Sequence, residues 1–181
     1  MSRVEIDVVR SAIVMTSAGL DATMKRLVND VGRVLALKAG SGAAAQYEEF
    51  LKRELARQGG MTEPFRNAVL SNDVSTELLK VYLAERTKAS FQGSGDLKVR
   101  VRQTLGISKK HVPDLDIEQL DAFFLARNKI SHEMDLEQPD SSSIARVHRT
   151  PATVANQCKG VFALAGALIR SAATVGQKHG I

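Results

Sequence analysis

Apolar residues recur with a helical period over most of this chain. Val9, Ile13, Leu20, Met24, Leu27, Val31 and Leu35 fall three, four or seven apart, which lines one face of a 3.6-residue helix. Ser2 and Glu5 form an S-x-x-E capping box ahead of them, and Gly40 and Gly42 end the pattern, so a first helix is expected to run to Lys38. Gly19 and Gly32 within it mark close packing against a neighbour or a small bend. Residues 43–57 predict a second helix closed by Gly59 and Gly60. Thr62, Glu63 and Pro64 place a cap and a first-turn proline before a short helix that reaches Leu70. Ser75 is the expected cap of the next helix, which closes at Gly93-Ser94-Gly95.

The stretch Leu97–Gln103 alternates apolar and basic residues, a strand period, yet it is short and has no obvious partner. A helical or irregular connector is the preferred reading. One strong helix is expected from Asp116 through Met134, capped by Asp114 or Asp116 behind Pro113. Residues 135–150, with Pro139 and three serines, read as a loop. Thr150-Pro151 then opens a final helix of about 25 residues. The sum is an all-α helical bundle in one domain, 1–181, with long first and last helices antiparallel to their neighbours.

Composition narrows this further. A chain of 181 residues that is 44% apolar can bury one core. Aromatics at 4% and no tryptophan argue against an aromatic-rich β sandwich. The one cysteine, Cys158, excludes a disulfide framework and reads as a core filler. Four scattered histidines without an HExxH pair give no expectation of a metal, and no cofactor is expected either. Glu5, Asp7 and Arg10 interrupt the amino-terminal apolar residues, which fits neither a secretory signal nor a transit peptide. The apolar stretch from Gly160 to Ile169 lies between Lys159 and Arg170 and is about half of the ~20 residues that span a bilayer. A cytoplasmic protein without a membrane partner is expected. The net charge of +5 permits a polyanionic partner without requiring one.

The chemistry gathers at residues 127–132, Arg-Asn-Lys-Ile-Ser-His. On a helix, Asp121, Leu125, Asn128 and His132 fall nearly on one line, and Leu120, Phe123, Phe124, Ile130 and Met134 take the opposite, apolar side. Arg127 lies in the middle of that apolar side, so its guanidinium must be paired, reach the surface, or meet an anion in a partly desolvated cleft. Arg127 and His132 stand about 140° apart on an ideal helix, so joint action requires a frayed last turn or a second copy of the chain.

An arginine, a following polar residue and a histidine five positions on, near the end of a helix with apolar preceding turns, resembles the R-x4-6-H signature of HEPN-domain proteins. The segment RSAIVMTSAGLDATMKRLV also resembles the long first helix of the RiboL-PSP type of HEPN domain. The resemblance covers the first, motif and final helices and leaves residues 40–110 without a counterpart. It implies a homodimer with two motifs facing one cleft, and a metal-independent endoribonuclease acting in toxin or antiviral defence, with RNA as substrate and an antitoxin or a larger complex as a further partner. In the toxin branch paired with nucleotidyltransferase antitoxins, a tyrosine often stands two positions after the histidine. Here that position is Met134.

The roles follow from the groups. RNA carries its own nucleophile, the 2′-hydroxyl. His132 suits proton transfer, since an unperturbed imidazole titrates at about 6.5. Arg127 suits charge stabilisation at phosphorus. Asn128 is the candidate to orient His132, and Asp121 to tune either group. Lys129, Lys98, Arg100, Arg102, Lys109 and Lys110 are candidate phosphate contacts, which Arg146, His148 and Arg149 could extend. Plain readings stand beside these. His132 suits a helix carboxyl end as a cation. Arg127 has Glu133 and Asp121 as possible partners, and the basic run suits a solvated connector. Two other functions stay open: a non-catalytic HEPN-like module binding nucleic acid or a partner protein, and a helical dimerisation subunit of a larger complex.

Overall fold

In a computed structural model, which describes residues 3–140, 142 and 144–181, the chain is an all-α bundle. The capping residue Ser2 lies outside the described residues. Helix α1 (Arg3–Leu27) continues through a wide π turn (Val28–Gly32) into a last turn (Arg33–Leu35). Gly32 sits in that π turn against the Leu83, Leu105 and Thr104 side chains, whereas Gly19 faces open space and packs on nothing. Ser41 joins α1 to α2 (Gly42–Leu55). Its hydroxyl donates to the Leu35 carbonyl at 2.7 Å and accepts from the Ala44 N–H at 2.9 Å.

Helix α3 (Glu63–Val69) starts as expected at Thr62, but the Thr62 hydroxyl turns to the Glu54 carboxylate and caps nothing. Helix α4 (Val74–Thr87) is capped by Asp73, which accepts from the Thr76 N–H at 3.2 Å. The expected cap, Ser75, lies inside the first turn. Leu97–Gln103 holds no strand. A turn at Ser94–Asp96 runs into a second π segment, Leu97–Arg102, that buries Leu97 and Val101. The single helix expected from Asp116 is two, α5 (Asp114–Glu118) and α6 (Asp121–Glu133). The break falls at Gln119-Leu120, and Ile117, Leu120, Phe123 and Phe124 on either side of it are all buried. Thr150 caps α7 (Pro151–Lys178) as its sequence predicts, accepting from the Thr153 N–H at 3.1 Å.

The buried apolar residues form one core, with Tyr47, Phe50, Phe65 and Tyr82 as its aromatic centre between α2, α3 and α4. Helix α6 runs antiparallel to α1: Arg127 lies by Ala18 and Asp21, and Met134 by Asp7 and Arg10. The first and last helices are parallel, not antiparallel. Thr16 donates to the Cys158 sulfur at 3.3 Å, and further along Leu27 shares a shallow hollow with Ile169. The long excursion through α2–α6 lets the chain return to the end it started from. Cys158 is only half-buried, at the seam between these two helices rather than in the core. By length and composition α7 is also long and apolar enough to cross a membrane, and 22% of its apolar window is buried inside the fold. Its Val154, Val161, Leu164, Leu168 and Ala172 face the interior.

Candidate functional site at the end of the motif helix

The carboxyl end of α6 is fixed by two consecutive left-handed residues, Met134 (φ 52°) and Asp135 (φ 60°). Such a conformation is costly outside glycine, and contacts must hold it. Asp135 supplies them. It is fully buried, and its carboxylate accepts from Arg10 Nε at 2.8 Å and from Arg149 Nε and Nη2 at 2.8 and 2.6 Å. Its own N–H reaches back to the Lys129 carbonyl at 2.9 Å, and its carbonyl accepts from the Val147 N–H at 2.8 Å. One side chain thus ties α6 to the start of α1 and to the approach to α7. Burial alone would raise the Asp135 pKa, but the hydrogen bonds and charges of Arg149 and Arg10 outweigh it and hold the carboxyl below its ordinary value.

Around this clamp lie two adjoining hollows of about 530 and 560 Å3 that share Asp7, Arg10, Met134 and Arg146. Their walls combine apolar side chains with Arg146, His148 and Arg149. The loop that forms the outer wall is pinned by a bridge between Leu136 and Arg146 and by the Glu137 N–H donating to the Ala145 carbonyl at 2.9 Å.

The motif residues divide. His132 is exposed, on the last turn before the clamp. Arg127 is half-buried and lines a separate small hollow of about 170 Å3, beside Ser17, Asp21 and Gln92. His132 is not among the walls of that hollow, so the arginine and histidine of one copy do not converge there. Asn128 orients Arg127 rather than His132: its Oδ1 accepts from Arg127 Nη1 at 3.0 Å. Arg127 Nε is buried without a hydrogen-bond partner. Neither Glu133 nor Asp121 pairs with it. Asp121 lies at the far end of α6 and accepts from the Ser94 N–H and hydroxyl at 3.3 and 3.1 Å, so it fixes the 94–96 turn and cannot tune His132.

Of the candidate phosphate contacts between 98 and 110, Arg100 and Arg102 are held within the fold, whereas Lys98 and Lys109 sit in surface ion pairs. Arg102, 2% exposed, pairs with Asp114 at 2.6 Å and donates to the Val112 carbonyl at 2.9 Å. Arg100 lies over the Phe91 ring at 4.5 Å, pairs with Asp96 and donates to the carbonyls of Arg86, Ala89 and Ser90. Lys98 pairs with Glu118 at 2.8 Å, a hydrogen bond that raises the lysine pKa. Lys109 joins Arg102 on Asp114, and the two cations lower that carboxyl's pKa, the Lys109 hydrogen bond foremost. Lys110 stays exposed without a partner among the described residues, and Lys129 is half-buried beside Asn128. Around the two hollows beside the Asp135 clamp, the basic side chains are Arg10, Arg146, His148 and Arg149. Sequence reasoning reached the last three only as an extension of the 98–110 run, and met Arg10 only as an interruption of an apolar stretch.

No protein-family model, curated protein or solved structure matches the chain. The functional reading therefore stands on these residues and their chemistry.

Proposed function

We propose that the chain is a metal-independent endoribonuclease that works as a pair of copies. One observation carries this reading: α6 presents an exposed His132 on a turn locked by buried Asp135, five residues after an Arg127 whose guanidinium is held by Asn128. The 2′-oxygen bonds to phosphorus as its proton passes to a neutral imidazole. The bond from phosphorus to the 5′-oxygen breaks, and that oxygen takes the proton back from the imidazolium just formed. The products are a 2′,3′-cyclic phosphate and a 5′-hydroxyl. Arg127 stabilises the charge that develops on the phosphoryl oxygens. The arginine and histidine of one copy face different ways, so the catalytic pair is Arg127 of one copy and His132 of the other. A cytoplasmic role in toxin or antiviral defence, with an antitoxin or a larger complex as partner, follows from the likeness of residues 127–132 to the HEPN signature.

The test is cleavage of total RNA in the presence of EDTA. The wild type is expected to cut, and Arg127→Ala and His132→Ala not to cut. Mixing the two inactive variants restores part of the activity, because each mixed pair rebuilds one complete site. If the mixture stays inactive while each variant still dimerises, the two-copy site is wrong. If His132→Ala cuts like the wild type, the nuclease reading fails. The second reading, a non-catalytic module for nucleic acid, is favoured by the separation of Arg127 from His132 within a copy. It is the outcome if RNA binds with a steep salt dependence and no variant or wild type cuts it.

A further inference from the structure

We propose that the 560 Å3 hollow between the start of α1, the end of α6 and the 136–149 loop holds one nucleotide unit of an RNA strand, with its base on the apolar floor and its phosphate on Arg146 and His148. This rests on the reading that the chain handles RNA at His132, and it names where the strand is gripped.

The size is that of a compact ligand. It falls inside the ~300–1,000 Å3 range of small-ligand sites, whereas a protein partner is met by a broad, flat surface. Ile6, Met134, Leu136 and Ile144 give it an aliphatic lining, and Ile144, 86% exposed, has no cover among the described residues. The basic side chains at the rim differ in what they have left to give. Arg149 and Arg10 are spent on Asp135. Arg146 makes one long contact, to Asp7 at 3.5 Å, and its side chain is 45% exposed, which leaves N–H groups of its guanidinium without a partner in the fold. His148 has no hydrogen-bond partner among the described residues. The base of the wall is preformed, because the Leu136–Arg146 bridge and the Val147–Asp135 hydrogen bond hold Asp135–Glu137 against Ala145–Val147 before any ligand arrives. Position links the hollow to the chemistry: Met134, on its floor, is two residues beyond His132. A base seated there brings the adjoining phosphodiester to the turn that carries the imidazole. Asp7 is the built-in competitor, holding Arg146 until a phosphate replaces it.

The test measures binding apart from cleavage, using a fluorescent 2′-O-methyl hexanucleotide that no transesterification can cut, titrated with the full chain across a salt series. Arg146→Gln is expected to weaken binding and flatten the slope of log affinity against log salt by about 0.7, the value for one lost phosphate contact on a single strand. Ile144→Ala is expected to leave the slope unchanged and weaken binding about fourfold for each methylene withdrawn from contact. Asp7→Asn is expected to tighten binding, which damage to the fold would not do. A nucleoside monophosphate should compete better than inorganic phosphate or the nucleoside alone. Arg146→Gln and Ile144→Ala proteins that bind like the wild type would overturn the subsite, as would a glutamate-rich peptide that competes as well as the mononucleotide. Unmodified RNA left uncut while these binding effects hold would overturn the nuclease reading instead.

Discussion

Replacing Asp135 with asparagine tests the clamp on which the motif helix ends. The change keeps the volume, and asparagine tolerates the left-handed backbone (φ 60°) about as readily as aspartate, so what is removed is the charge. Arg10, 8% exposed, and Arg149 then lose the carboxylate that accepts their three hydrogen bonds of 2.6–2.8 Å. Breaking a buried ion pair from one side costs about 3–5 kcal/mol, because the remaining charges stay desolvated. For a chain of this length about 2–4 °C per kcal/mol follows, so melting should fall by about 6–20 °C. Urea unfolding should show the same loss with an unchanged slope. The pH dependence has a fixed sign. The folded pKa of Asp135 lies below its unfolded value of about 3.9, so its stabilisation is present above that pH and is lost as pH falls through the folded value. The asparagine variant should therefore be less sensitive to acid than the wild type. Asp7, whose side chain is 60% exposed, is the control: Asp7→Asn should cost no more than about 1 kcal/mol. A loss below about 1 kcal/mol for Asp135→Asn, or acid unfolding curves of the same shape for both proteins, would refute the clamp.

The other residues give sharper contrasts between holding the fold and serving the site. Arg102→Ala should cost about 2–4 kcal/mol in urea unfolding, as truncation of a buried paired cation does, and should leave RNA affinity per folded molecule unchanged in a gel-shift assay. Gly106→Ala should lose at least about 2 kcal/mol by calorimetry, since φ is 64° and a Cβ would lie 2.6 Å from the Ala43 nitrogen. Asp121→Ala should remove the Ser94 cap at a cost of about 1 kcal/mol or less, with RNA cleavage kept; loss of cleavage at full stability would return Asp121 to the catalytic site.

Periodicity was enough to locate the helices, because a 3.6-residue apolar repeat has one structural solution when the core is shared. Thr150-Pro151 was legible for the same local reason: both the hydroxyl cap and the fixed φ of proline act within one turn. What escaped was set by contacts distant in sequence. Asp135 meets Arg10 across 125 positions, and nothing adjacent to either residue announces the pairing. Met134 and Asp135 are left-handed without glycine, so no composition signal marks the turn. The basic residues of Leu97–Arg102 read as phosphate contacts or a solvated connector, but a π turn carries Arg102 inward onto Asp114. The motif was found by its residue types. The division of labour within it, Asn128 on Arg127 and Asp121 on Ser94, depends on rotamers that spacing does not encode.

Because α1 and α7 set out side by side from the same end, the ribs of the molecule share a base and point one way. The opening turns of α1 stand beside the hollow that Ile6, Asp7 and Arg10 help to wall. Anything attached after Ile181 rides at the tip of a 28-residue rod, about 42 Å off. A dye, bead or fusion placed at the carboxyl tail would leave that mouth open, whereas the same cargo at the amino tail would crowd it.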